Sequence, residues 1–250
     1  MLKAERQRSI LERLERSRAV EVLELERQLG VSAFTIRRDL DELAAEGHLL
    51  RVHGGAVPRS PTNPSFERRA GEHLDSKRRV AAAALSLLEP DATVIIDGGS
   101  TALLLAESIP TEQTGTFLTH SPTVAVALGR LERSEVVCIP GTLDRRAMVC
   151  VGARTVEAYQ GLHADLCFMG VWSAHAEHGL SERFHAEAEV RRALLSAADR
   201  IVGLCTADKL GTLATFPIGP ASALTHMAVD PETPPGLLEP FAELGVQLLS

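Results

Sequence analysis

The chain has 250 residues, 45% of them hydrophobic, and a formal net charge of −7, with a mean hydropathy of +0.04. That length and apolar content predict two globular domains with real cores. No apolar run approaches the roughly 18 residues that span a bilayer, and the charged start MLKAERQRS lacks the apolar stretch of a secretory signal, so a cytoplasmic protein without membrane partners is expected.

Residues 3–16 read as a first helix, with Ile10 and Leu14 facing inward. Val22, Leu25 and Leu29 mark a second short helix that ends at Gly30, a residue suited to the left-handed position after a helix. Val31 alone separates it from Ser32, whose hydroxyl can cap the next helix by accepting a backbone N–H of the first turn. There Ile36, Leu40 and Leu43 form one apolar stripe at i, i+4 and i+7. At about 100° per residue, Phe34 and Arg38 point away from that stripe, with Thr35 and Arg37 on its flanks. Read alone, this is an ordinary surface helix. Helix, tight glycine turn and helix together read as a helix-turn-helix, whose second helix meets base edges with its first turns. Glu46-Gly47 closes that helix, and HLLRVHGGAVP suits a short hairpin, or wing, beside it. Charge is neutral on the point: residues 1–59 carry a net +1 and the remainder −8, and what matters is a local face such as Arg37, Arg38 and Arg51 with Arg13, Arg16 and Arg18.

The stretch VSAFTIRRDLDELAAEGHLLRVHGGAV resembles the N-terminal domain of the DeoR family of bacterial transcriptional regulators, whose pattern is VS..TIRRDL..L...G...R.HGGA. The resemblance implies a winged helix-turn-helix over residues 1–58 that binds double-stranded operator DNA. Ser32, Phe34, Thr35, Arg37, Arg38, Arg51, His53 and Gly54 are its expected DNA-binding residues, Phe34 standing at a position that varies in the family.

Pro58 to Pro64 holds three prolines and no periodicity, so residues 59–75 read as a linker. Ser65 to Leu88 returns to helix, with Val80, Ala84 and Leu87 on one face. From Thr93 short apolar runs alternate with helices: TVIID, a helix from Ser100 to Ser108, TFLTH, a helix from Pro122 to Leu131, VVCIPG, a helix from Ala153 to Tyr159, ADLCFMGV, a helix from Ala186 to Ala198, IVGLCTA and THMAVD. Continuous apolar strands separated by helices predict a mostly parallel sheet over residues 76–250, covered on both faces, with ligands at the carboxyl ends of its strands. Those ends carry Asp97-Gly98-Gly99-Ser100-Thr101, Thr119-His120-Ser121, Pro140-Gly141, Gly170 and Asp208-Lys209, with Glu187 opening a helix nearby. A glycine loop leading into a helix N-terminus suits phosphate, though a tight strand–helix turn reads the same way. The four cysteines show no C-x-x-C spacing and read as buried thiols.

These strand ends are similar to the DeoR C-terminal sensor domain, with its D.GTT loop, TN and GG turns, F.G strand end, E.EV helix start and D..K strand end. The resemblance implies a two-domain α+β chain whose second domain is ribose-5-phosphate isomerase-like and binds a phosphorylated sugar or related metabolite. Asp97, Gly98, Gly99, Ser100, Thr101, Thr119, His120, Gly141, Gly170, Glu187 and Lys209 are its expected effector residues. It implies a repressor of a carbohydrate operon; no cofactor or metal is expected, and the two half-sites that tight operator binding needs predict a homo-oligomer. His120, Pro140 and the adjacent Asp208-Lys209 depart from the family pattern, as does the loop Val171–Gly179 with Trp172 in it. Two other readings stand beside it. One is a metal held by His175, His178 and His185 with Glu177, for which H-x-x-H in a polar loop is a weak signal. The other is a sugar-phosphate isomerase-like enzyme with Glu187 as base and Lys209 as stabiliser.

Overall fold

A computed structural model describes residues 1–60 and 65–250. Among them no helix is long and apolar enough to cross a membrane. The first unit runs α1 (Lys3–Ser17), β1 (Val20–Glu21), α2 (Val22–Leu29), α3 (Ala33–Ala45), β2 (Leu49–Val52) and β3 (Gly55–Pro58). Gly30 ends α2 at φ 66°, its N–H donated to Glu26 O, and Ser32 then caps α3 by accepting the N–H of Thr35. The expected stripe is the core: Ile10, Ile36 and Leu40 are fully buried, with Leu14, Leu25 and Leu43 around them. The wing is a three-stranded sheet in the order β1-β3-β2, because Val20–Glu21 pairs antiparallel with Gly55–Ala56. Two residues are too few for period-2 alternation to show in a sequence. Asp39 is wholly buried, and Nε and Nη2 of Arg6 from α1 donate to its two carboxylate oxygens.

The second unit begins with two helices where one was expected: α4 (Phe66–Gly71) and α5 (Leu74–Leu85), broken at Glu72-His73, with His73 at φ 50°. Lys77 holds the break together, its ammonium donating to the carbonyls of Arg69 and Glu72 at the end of α4. Of the proline-rich linker reading, residues 61–64 lie outside the described residues. Phe66–Gly71 is helix, with Phe66 buried and its N–H donated to Arg146 O.

There follow β4 (Ala92–Ile96), α6 (Ser100–Ser108), β5 (Gly115–Thr119), α7 (Pro122–Leu128), β6 (Ser134–Cys138), β7 (Thr142–Asp144), β8 (Val149–Val151), α8 (Ala153–Gln160), β9 (Ala164–Gly170), β10 (Ser173–His175), β11 (Gly179–Glu182), α9 (His185–Leu194), β12 (Ala198–Leu204), β13 (Phe216–Gly219), β14 (His226–Ala228), α10 (Pro235–Glu243) and β15 (Gln247–Leu249). Seven strands form one parallel sheet in the order β15-β14-β12-β9-β4-β5-β6. Its central strand β9 shows why the run ADLCFMG is apolar throughout: Cys167 and Met169 enter one core, Leu166 and Phe168 the other. Two helices end earlier than the sequence suggested. The helix α7 stops at Leu128 before Gly129, and α9 stops at Leu194, so that Ala198 opens β12 opposite Ala164. The hairpin β7–β8 and the small sheet β10-β11-β13 were not anticipated. Cys167 and Cys205 are buried as expected, but Cys150 is half-buried and Cys138, on the edge strand β6, is exposed.

Candidate functional site

The outward side of α3 is built as its periodicity requires. Phe34 is 74% exposed, and Arg37 and Arg38 stand exposed beside it while Ile36 and Leu40 are sealed in the core. Ser32 serves chiefly as the cap, its hydroxyl also 3.1 Å from that of Thr35. At the wing tip His53 and Gly54 are exposed. Arg51 is engaged within the domain, Nε 3.0 Å from Asp41 and a terminal nitrogen donating to Gly55 O, so it clips the wing to α3. A bidentate bond from Arg38 to guanine is the expected reading contact: Arg38→Ala should weaken operator binding by roughly 1–3 kcal/mol and relax sequence preference. Fluorescence anisotropy on matched and mismatched duplexes measures both, and unchanged affinity with the fold intact would remove Arg38 from the reading face.

The second site lies at the carboxyl ends of the parallel strands. A cavity of about 140 Å³ is bordered there by Gly98, Gly99, Ser100 and Thr101 at the start of α6, and by Gly170, Glu187 and Lys209. Seven of the eleven expected effector residues therefore share one cavity. Asp97, Thr119, His120 and Gly141 do not line it. Asp97 is 1% exposed and works from beneath: one carboxylate oxygen accepts the Gly98 N–H, the other the Gly170 N–H and the Arg191 guanidinium at 3.0 Å. It thus pins the glycine loop to the next strand, leaving the Ser100 and Thr101 end of α6 turned to the cavity. His120 is packed behind it, Nε2 3.3 Å from Asp97 and Nδ1 2.8 Å from the Tyr159 hydroxyl. Burial holds its imidazole pKa down to about 4, so it is neutral and cannot pair with a phosphate at ordinary pH. The Thr119 hydroxyl accepts the Ser121 N–H, and Gly141 packs on Thr155 at the far turn after β6.

Other walls come from residues the sequence did not single out. The helices α4 and α5 supply Arg69 and Lys77, the break between them Glu72 and His73, and α9 supplies Arg191. Only Arg191 had a readable signal, its i+4 spacing from Glu187. Burial lowers the Lys77 ammonium to about 8, with the Lys209 charge adding to the effect. Burial also raises Glu187 to about 7; Arg191 opposes that, and Glu182 and Asp97 reinforce it. Arg191 is ringed by three carboxylates, bonding Asp97 and Glu182 and standing 3.6 Å from Glu187. Trp172, 8% exposed, forms part of the wall, with the Arg69 and Lys209 charges each 5.5 Å from its ring centre. The arrangement is a helix N-terminus with hydroxyls and four cations, Arg69, Lys77, Arg191 and Lys209, around a small space, which suits an anion. Among the described residues no three His, Cys, Asp or Glu side chains come together as a metal's ligands would; His185 lies beside Glu189, while His175 and His178 stack with ring centres 4.5 Å apart.

A winged helix-turn-helix joined to a parallel-sheet domain with a polar cavity at its strand ends defines a two-domain DNA-binding transcriptional regulator. The chain belongs to the DeoR family: the DeoR-like helix-turn-helix domain matches residues 6–62 and the DeoR C terminal sensor domain residues 72–231. It is 30% identical to a putative aga operon transcriptional repressor of Escherichia coli O157:H7, over 98% of this chain and 93% of that one. It is 34% identical to the HTH-type transcriptional regulator GlpR of Haloferax volcanii over 84% and 83%, and 25% identical to the glycerol-3-phosphate regulon repressor of Escherichia coli K12 over 99% of each. Ribose 5-phosphate isomerase A of Methanocaldococcus jannaschii is similar over 53% of this chain and 52% of that one, at 16% identity and a TM-score of 0.38, a likeness too slight to bear on function.

Proposed function

We propose that the protein represses a carbohydrate operon in the cytoplasm, and that a phosphorylated sugar or related metabolite in the sheet-end cavity sets its operator affinity. The observation that carries this reading is the Gly98–Thr101 loop, held open-ended at the start of α6 by buried Asp97 and faced by Lys209. Relatives named for the aga operon and the glycerol-3-phosphate regulon support the choice of pathway class. Sensing is favoured over catalysis because Glu187, the base expected of an isomerase here, shares Arg191 with two other carboxylates.

A thermal-shift panel of sugar and polyol phosphates, followed by operator retention with each hit, tests it. Thr101→Asp is the decisive variant. A carboxylate near a helix N-terminus is favourable, so the fold should be kept, while the added charge repels phosphate. Loss of the thermal shift with operator binding retained is expected. An unaltered shift would place the ligand elsewhere, and turnover of a hit followed by nuclear magnetic resonance would favour the enzyme.

A winged domain of this size makes few base contacts, and tight binding needs two half-sites about 34 Å apart or a multiple of that. Light scattering is therefore expected to show a dimer or larger homo-oligomer on DNA. A monomer, free and bound, would contradict it.

A further inference from the structure

A short stretch of chain runs from the cavity rim to the DNA-binding domain. Lys209 ends the turn Ala207–Lys209 at the cavity rim, its ammonium 2.9 Å from Asp208. Two residues on, Gly211 lies against α1 of the DNA-binding domain. A Cβ at Gly211 would stand 2.6 Å from the Cβ of Arg18, and the φ of +66° there suits glycine. Arg18 is the left-handed cap of α1, at φ 59°. Two residues further, Leu213 donates its N–H to Pro58 O at 3.2 Å and accepts the Ser60 N–H at 2.8 Å. This continues the line of β3 as a parallel bridge between Arg59 and Leu213.

The stretch is braced along its length. The buried Thr212 hydroxyl lies 2.8 Å from Lys209 O and 3.1 Å from the Ser173 hydroxyl. Gly211 donates to Ala174 O, and Ala214 donates to the Ser181 hydroxyl. Its far contacts fall on two elements that set the reading face. The strand β3 is the centre of the wing sheet, and α1 carries Arg6, which grips Asp39 of the recognition helix.

We propose that Lys209–Ala214 is the strut through which occupancy of the cavity is passed to the wing and to α1. The inference rests on the reading of the cavity as a phosphate-ligand site. An anion that draws the Lys209 ammonium from Asp208 shifts the turn, and the bracing carries that shift to Leu213 and Gly211. A ligand can act in this way only through different affinities for the two positions of the strut.

The test uses the full chain, an operator duplex selected by the protein from a random pool, and glycerol 3-phosphate, ribose 5-phosphate and fructose 6-phosphate as probes. Trp172 is the only tryptophan, so its fluorescence reports occupancy of the cavity. The ratio of operator Kd with and without probe is the coupling factor, commonly about 5–150-fold. Thr212→Val loosens the brace, and Arg18→Gly removes the α1 contact at a backbone angle glycine accepts. In each, the coupling factor is expected to drop toward one while the probe still changes Trp172 fluorescence. Unchanged coupling in both folded variants overturns the strut.

Hydrogen exchange supplies an arm that needs no effector, because operator binding must alter protection of the Gly211 and Leu213 amides in the parent. Unaltered protection overturns the strut as well. Altered protection in a protein that binds none of the probes supports the strut and overturns the phosphate reading instead.

Discussion

Asp39→Ala is expected to abolish operator binding although Asp39 cannot touch DNA. Its carboxylate is fully buried beneath α3, where Arg6 holds both of its oxygens. Truncation leaves a desolvated guanidinium without its partner. The loss should be about 3 kcal/mol, the low end for breaking a buried pair. A unit of this size has a total stability of only a few kcal/mol, so the loss is large enough to melt it. Circular dichroism melts and operator anisotropy should fail together. Replacing both partners, Arg6→Met with Asp39→Leu, removes the stranded charge and should restore much of the fold. An Asp39→Ala protein that melts like the parent and binds its operator would show that the α1–α3 clamp is dispensable.

What the sequence disclosed and what it hid divide on a physical line. The stripe Ile36, Leu40 and Leu43, the glycine turn and the apolar strands were legible because burial imposes a period on neighbouring residues. The helix α6 was read to the residue because Gly99 and Ser100 mark its start. Features made by residues far apart in the chain left no such mark. Val20–Glu21 becomes a strand only because Gly55 and Ala56 lie beside it. The segment read as linker and helix supplies a whole cavity wall, Arg69, Glu72, His73 and Lys77, since the break at His73 depends on where Lys77 reaches. Asp97 was rightly placed at a strand end, yet its burial, in which it supports the loop from beneath, depends on Gly170 and Arg191 in distant elements.

That support predicts the largest effect in the sensor domain. Arg191 bonds Asp97 and Glu182 directly and also stands beside Glu187. Arg191→Met leaves three carboxylates crowded in a buried space where His120, neutral at ordinary pH, offers no counter-charge. Roughly 3–5 kcal/mol of stability should be lost at neutral pH. Arg191→Lys should recover only part of it, because an ammonium cannot hold two carboxylates in the guanidinium's planar fork. The sign of the pH dependence follows from the same crowding. Burial already raises Glu182, and Glu187 to about 7, with Arg191 in place, and removing the cation raises both further. A carboxyl whose folded pKa lies above its unfolded value contributes stability below the unfolded value and loses it as pH rises through the folded one. The deficit of Arg191→Met relative to the parent should therefore be smaller at pH 5 than at pH 8, measured by urea titration at both. A deficit that is the same at both pH values would mean that lost packing, and not unpaired charge, is what the variant exposes.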